Sequence, residues 1–213
     1  MQHKYSYHMD DLPDGLILKG DIAVDTEAMG LNNYRDRLCL VQLADELGSI
    51  HLVHLKNKNF TAPNLKEILT DQSRMKIFHF ARFDISIIQK YLKIEINNIF
   101  CTKIASRLCR TYSNHHSLSE LCSELLGIKI SKQQQSSDWG SESLNESQLN
   151  YAAQDVRYLH QLRDRFISML QREGREEIAQ ECFKFLPIRA KLDSLGWGYD
   201  IFAHNTHNNP GYI

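Results

Sequence analysis

The sequence predicts an α/β fold: a sheet opened by three consecutive strands and covered by helices that come mostly later in the chain. Three observations carry this. Short β-rich runs bounded by turn residues fill the first part, "KIFHF" stands between two helical patterns, and from Thr102 onward apolar residues recur at helical spacing. Strands first, helices later and a helix between two strands together describe a helix-covered sheet.

Each element follows in order. From Gly15 to Thr26, turn signals alternate with "LIL" and "IAV", which predicts one strand ending near Asp25. "RLCLVQLAD" and "SIHLVHL" are rich in β-formers and separated by Glu46-Leu47-Gly48, the signature of a hairpin, so the first three strands should form an antiparallel meander. "APNLKEILT" predicts a short helix, "KIFHF" a fourth strand, and "DISIIQKYL" a helix with Ile85, Ile88 and Leu92 on one face. "TKIASRLCRTY" and "SLSELCSELLG" are helical, the second with Ser117 and Glu120 in capping-box spacing and Gly127 as its stop. Residues 130–143, "ISKQQQSSDWGSES", form a loop. One long helix follows, with Leu149, Ala152, Val156, Leu159, Leu162 and Phe166 at helical spacing, and a further helix spans about Arg175 to Lys191.

With 213 residues, 42% of them hydrophobic, the chain can fill one core, and no Pro- or Gly-rich linker or repeat divides it. A single unit over 1–213 is expected, with a core at about 10–170. Balanced charge, 25 basic against 26 acidic residues, excludes a general affinity for long polyanions. Apolar runs are too short to span a bilayer, and "MQHKYSYHMDDL" lacks the apolar segment of a secretory signal. Five cysteines (39, 101, 109, 122, 182) make no CxxC pair and read as free buried thiols, so a cytoplasmic location is expected.

"AVDTEAMGL" puts Asp25 and Glu27 on one face of the first strand, because side chains at i and i+2 share a face. At a few ångströms their repulsion is on the order of 1 kcal/mol in water and grows as the dielectric falls. Something positive should lie between them: Arg35, Arg37 or, fitting better, a hard divalent cation. By itself D-x-E is equally an exposed strand end. In "HFARFD", Asp84 stands where a strand gives way to a helix, the place where α/β sites gather polar groups, although it also suits a helix N-cap. In "YAAQDVRYL", Tyr151 and Asp155 are four apart and hence neighbours flanking the apolar face of their helix.

The ordered set, D-x-E on a first strand, Asp at a strand-to-helix junction and Y-x-x-x-D on a late helix, resembles the DEDD exonuclease superfamily in its tyrosine-bearing subclass. "VDTEAM" and "SSDWGSESLNESQLNYAAQDVRYL" are similar to the catalytic domain of ribonuclease D, over about residues 10–170. The helical nucleic-acid-binding domains of ribonuclease D have no counterpart in this sequence, which points to the compact, dinucleotide-degrading branch of the family. The resemblance implies a ribonuclease H-like fold, a mixed five-stranded sheet with helices on both sides. It further implies two Mg²⁺ or Mn²⁺ ions held by Asp25, Glu27, Asp84 and Asp155, with Tyr151 orienting a water. The implied activity is 3′-5′ exoribonuclease cleavage of short single-stranded RNA to 5′-monophosphates, by a homo-octamer. Asn150 precedes Tyr151, which disfavours the histidine-bearing subclass.

"MGL" also resembles oligoribonuclease, where a leucine six residues past the first Asp wedges between bases; here that is Leu31. Leu31 and Met29 could meet bases or pack in the core. Thr26, His79, Phe83 and Trp139 complete the substrate-side set, with a loop anchor as the other reading of Trp139 and a satisfied strand-end histidine as that of His79. His115-His116 and the tail "FAHNTHNNPGYI" are discounted as metal ligands, since no partner has structural-zinc spacing. Trp197, Tyr199, Ile201 and Phe202 give the C-terminal segment 171–213 a suspected subunit contact. Ribonuclease D-like trimming, DNA cleavage and an inactive RNA- or protein-binding scaffold are the competing readings.

Overall fold

The computed structural model describes residues 5–32, 35–56, 60–131, 133–134 and 136–204. Its centre is a six-stranded mixed sheet in the order β1-β4-β3-β2-β5-β6. The strands are β1 (Ser6–Met9), β2 (Ile22–Ala28), β3 (Leu38–Asp45), β4 (Ile50–His54), β5 (Lys76–Phe78) and β6 (Ile99–Cys101). The expected meander is present: β2 pairs antiparallel with β3, and β3 with β4. Gly48, at φ +83°, and the Asp45 carboxylate, which accepts from the Leu47 and Ser49 amides at 3.1 and 2.8 Å, close the β3–β4 turn.

The sheet therefore has six strands where the resemblance implied five. β1 pairs parallel with β4 at the edge and is mostly exposed, so it carries no apolar alternation. Tyr7 bonded to His54 at 2.5 Å, and His8 stacked on His51 at 5.2 Å, fasten it. β6 is also missing from the reading above because three residues are too few to show a period. The first meander strand spans Ile22–Ala28 alone, and "LIL" precedes it without joining the sheet.

Seven helices are described: α1 (Pro63–Thr70), α2 (Ala81–Leu92), α3 (Thr102–Cys109), α4 (Leu118–Leu121), α5 (Glu146–Arg157), α6 (Leu159–Arg172) and α7 (Glu176–Ser194). Ile85, Ile88 and Leu92 of α2 are fully buried. Ser117 and Glu120 form the expected capping box, and Gly127 at φ +70° is the stop. Between them, however, a single α turn passes into a π-helical turn, Cys122–Leu126, which nothing in the local pattern announces.

The single long helix expected over 149–166 is two helices, interrupted at Tyr158 (φ −111°, ψ 2°). The break coincides with distant partners: His160 Nε2 donates to the Asp21 carbonyl at 3.0 Å, and Arg163 pairs with Asp21 and Glu46 at 2.7 Å each. The apolar stripe runs on across it, with Val156, Leu159, Leu162 and Phe166 all buried, so periodicity registers no interruption. α5 lies over β2, β3 and β4, which brings its Tyr151–Asp155 face to the end of β2. The five cysteines are free, four of them buried, and among the described residues no helix is long and apolar enough to cross a membrane.

Candidate active site

β2 sets the geometry. Asp25 and Glu27 leave the same face, and α5 brings Asp155 down on them, so that ligand atoms of all three lie within 4.8 Å of one another. Asp84 joins from α2. It is not the N-cap: the helix begins at Ala81 after Phe80, whose φ of +65° makes the turn from β5. Asp84, 3% exposed, instead accepts a 2.6 Å hydrogen bond from the Thr26 hydroxyl, which ties α2 to the residue between Asp25 and Glu27.

Electrostatics show what this arrangement lacks. Burial pushes the Asp25 carboxyl from its ordinary 3.8 up to about 7. Glu27 is raised well above its usual range by burial and then by the charges of Asp25, Asp155 and Asp84. Asp84 and Asp155 are raised by burial first and Asp25 second. Among the described residues no ion pair reaches any of the four. Arg35 is spent on Asp36 at 2.7 Å, and Arg37 on the carbonyls of Leu55 and Gly140 at 2.9 and 3.3 Å. Neither arginine lies between the carboxylates. An all-oxygen donor set, partly open to solvent and without a protein cation, fits a hard divalent metal ion.

Tyr151 is hydrogen-bonded to Asp155, and burial together with the negative charges of Asp155, Glu27 and Asp25 drives its phenol above its normal range. The hydroxyl stays protonated and serves as a donor. Cys122, in the π-helical turn, sits close enough to Asp155 for that charge, after burial, to push its thiol up to about 12.

The residues expected on the substrate side divide. Leu31 and Met29, just past β2, are 90% and 58% exposed, so neither is core. Asp36 holds their turn by accepting from the Asn32 amide at 3.0 Å, and a Cβ at Gly30 would crowd the Asp36 carboxylate. Met29 packs on Gly140 of the 130–143 loop. Thr26 is buried, and its hydroxyl is engaged with Asp84, so its side chain positions a carboxylate. Trp139 is 2% exposed, with its ring 6.2 Å from that of Tyr151: it is the loop anchor, not an exposed stacking surface.

Phe83 is half-buried against the core, while Phe80, which the sequence reading passed over, is the exposed aromatic of that junction, with Lys103 Nζ 4.4 Å above its ring. Its signal was the strand-to-helix reversal itself, which forced an aromatic residue into a left-handed turn. His79 donates from Nδ1 to Thr102 Oγ1 at 2.9 Å, since that hydroxyl is given to the Phe78 carbonyl, and burial lowers the imidazole to about 3. It is a neutral, satisfied histidine. His115 and His116 bond to Glu120 and Ser106, at 2.7 and 2.8 Å. Residues 205–213 of the discounted tail lie outside the described residues.

A sheet bearing D-x-E on a central strand, an Asp at the following strand-to-helix turn and Tyr and Asp on the covering helix defines a nuclease-type carboxylate site. The chain belongs to the 3′-5′ exonuclease family, whose model matches residues 8–171. It is similar to Brucella melitensis NrnC bound to pGG, at 46% identity and a TM-score of 0.90, covering 96% of this chain and 100% of that one. The same Brucella melitensis protein with bound Mg²⁺ superimposes at a TM-score of 0.88, with 46% identity over 94% of this chain and 99% of that one. Among curated proteins, ribonuclease D of Sphingobium indicum is 31% identical over 72% of this chain, and exosome complex component 10 of Rattus norvegicus 31% over 80%. The chain spans 39% and 19% of the lengths of those two relatives.

Proposed function

We propose that the protein is a divalent-cation-dependent 3′-5′ exoribonuclease that hydrolyses very short RNA, dinucleotides in preference, to nucleoside 5′-monophosphates. The observation that carries this is the meeting of Asp25, Glu27 and Asp155, with Asp84 tied in through Thr26, at a point where, among the described residues, no cation pairs with them. NrnC bound to pGG supports the short substrate, and its Mg²⁺-bound form supports Mg²⁺ or Mn²⁺ as the cofactor.

Asp25, Glu27, Asp84 and Asp155 would hold two cations. When bound, such ions activate water and offset charge developing on the phosphodiester. The chain's own residues do the rest. Tyr151, protonated and fixed by the hydrogen bond it gives Asp155, orients the attacking water by accepting from it at the phenol oxygen. Leu31 and Met29 offer apolar surface to base faces, which accept any sequence. Near-neutral charge leaves few phosphate contacts for a long strand.

The near-complete overlap with NrnC supports one functional unit over 1–213 with its core at about 10–170. Exposed Ile188, Leu195, Trp197 and Phe202 on and after α7 fit a subunit contact in a homo-oligomer, an octamer by family resemblance. Free thiols suit the cytoplasm. Turnover of a 5′-labelled dinucleotide and of a twenty-nucleotide RNA, each with Mg²⁺ or Mn²⁺, tests the preference. The dinucleotide should be cut much faster; equal rates would instead favour ribonuclease D-like trimming.

A further inference from the structure

Gln42 of β3 lies directly opposite Asp25 of β2. Opposed residues of antiparallel strands project to one face with Cβ atoms about 4.5–5.5 Å apart, so Gln42 shares the face that carries the carboxylates and that α5 covers. It is 0% exposed, and neither its Nε2 nor its Oε1 is hydrogen-bonded to the protein. Its neighbour on the other side, Leu52 of β4, is apolar and buried, which leaves Asp25 as the polar one of the two residues directly opposite Gln42. An amide buried without a partner is destabilising, and an apolar residue of the same length would fill this space without that penalty.

We propose that Gln42 is a positioning residue for cation binding: its amide N–H, through one bridging water, holds the Asp25 carboxylate in the orientation in which the cluster takes its ions. This rests on the metal-nuclease reading above. Metal-binding carboxylates are themselves held by hydrogen bonds, and losing such a partner lowers metal affinity about 10–100-fold.

The test is calorimetric titration of the full chain with Mn²⁺ alone, on wild type, Gln42→Met and Gln42→Leu, beside thermal unfolding in EDTA. Both variants should unfold in EDTA at or above the wild-type temperature and bind Mn²⁺ at least about tenfold more weakly. Gln42→Asn, which keeps the amide one methylene short with the least change in packing, should also bind more weakly. Wild-type affinity in folded variants, with or without a lowered Tm, would make Gln42 a space-filler and overturn the proposal while the nuclease reading stands. Wild type that takes up no Mn²⁺ would overturn both.

Discussion

At the scale of single residues, Tyr151 shows how neighbours decide chemistry. A phenol held above its usual range by burial and by three nearby carboxylates keeps its proton near neutral pH, which leaves the proposed orienting role and removes that of a base. Tyr151→Phe keeps the ring beside Trp139 and removes only the hydroxyl. The expected result is a kcat on the dinucleotide lower by about a hundredfold, the cost of a misplaced reactant, with Mn²⁺ bound about tenfold more weakly because Asp155 loses its hydrogen bond. Steady-state kinetics with a parallel Mn²⁺ titration reads both. The pairing of Asp25 with Glu27 was legible in the sequence because strand period is fixed by backbone geometry. The hydrogen bond from Thr26 to Asp84 was not, since it joins residues 58 apart and a local reading of Asp84 finds only a helix cap. Trp139 had two readings open, and only its burial decides between them.

At the scale of elements, the segment from Ser117 to Gly127 carries the clearest dependence. Its capping box starts an α turn that widens into the π-helical turn placing Cys122 near Asp155. Ser117→Ala removes the side chain that accepts from the Glu120 amide and should cost about 1 kcal/mol in stability, measured by urea unfolding at fixed Mg²⁺. An unchanged midpoint would show that the turn is held by its packing alone. Long amphipathic stretches and the hairpin were readable from periodicity and turn residues. β1 and β6 were not, because one is a polar edge and the other three residues long. The break at Tyr158 escaped for a related reason: His160 and Arg163 find their partners more than a hundred residues away.

At the scale of the whole molecule, four buried carboxylates that no ion pair reaches among the described residues make stability depend on pH and on metal. For Asp25 the folded protein holds the proton up to about 7, against an ordinary 3.8. Between these values the unfolded chain has released a proton that the folded one retains, so the unfolded state binds fewer protons and stability falls as pH rises. Glu27, Asp84 and Asp155, shifted in the same direction, add to the slope. Metal-free protein should therefore lose Tm from about pH 4 to about pH 7. Saturating Mg²⁺ should raise Tm by mass action and more so at the upper end, where the carboxylates are ionised. Thermal scans in EDTA and in Mg²⁺ across this range check it; parallel curves would mean that ions do not bind at these groups.

The most direct test of the central claim is an anomalous difference map from crystals of the full chain soaked in Mn²⁺. It should show two peaks among the carboxylate oxygens of Asp25, Glu27, Asp84 and Asp155, lost in Asp155→Asn crystals. Peaks elsewhere, or none at these four side chains in wild-type crystals, would contradict it.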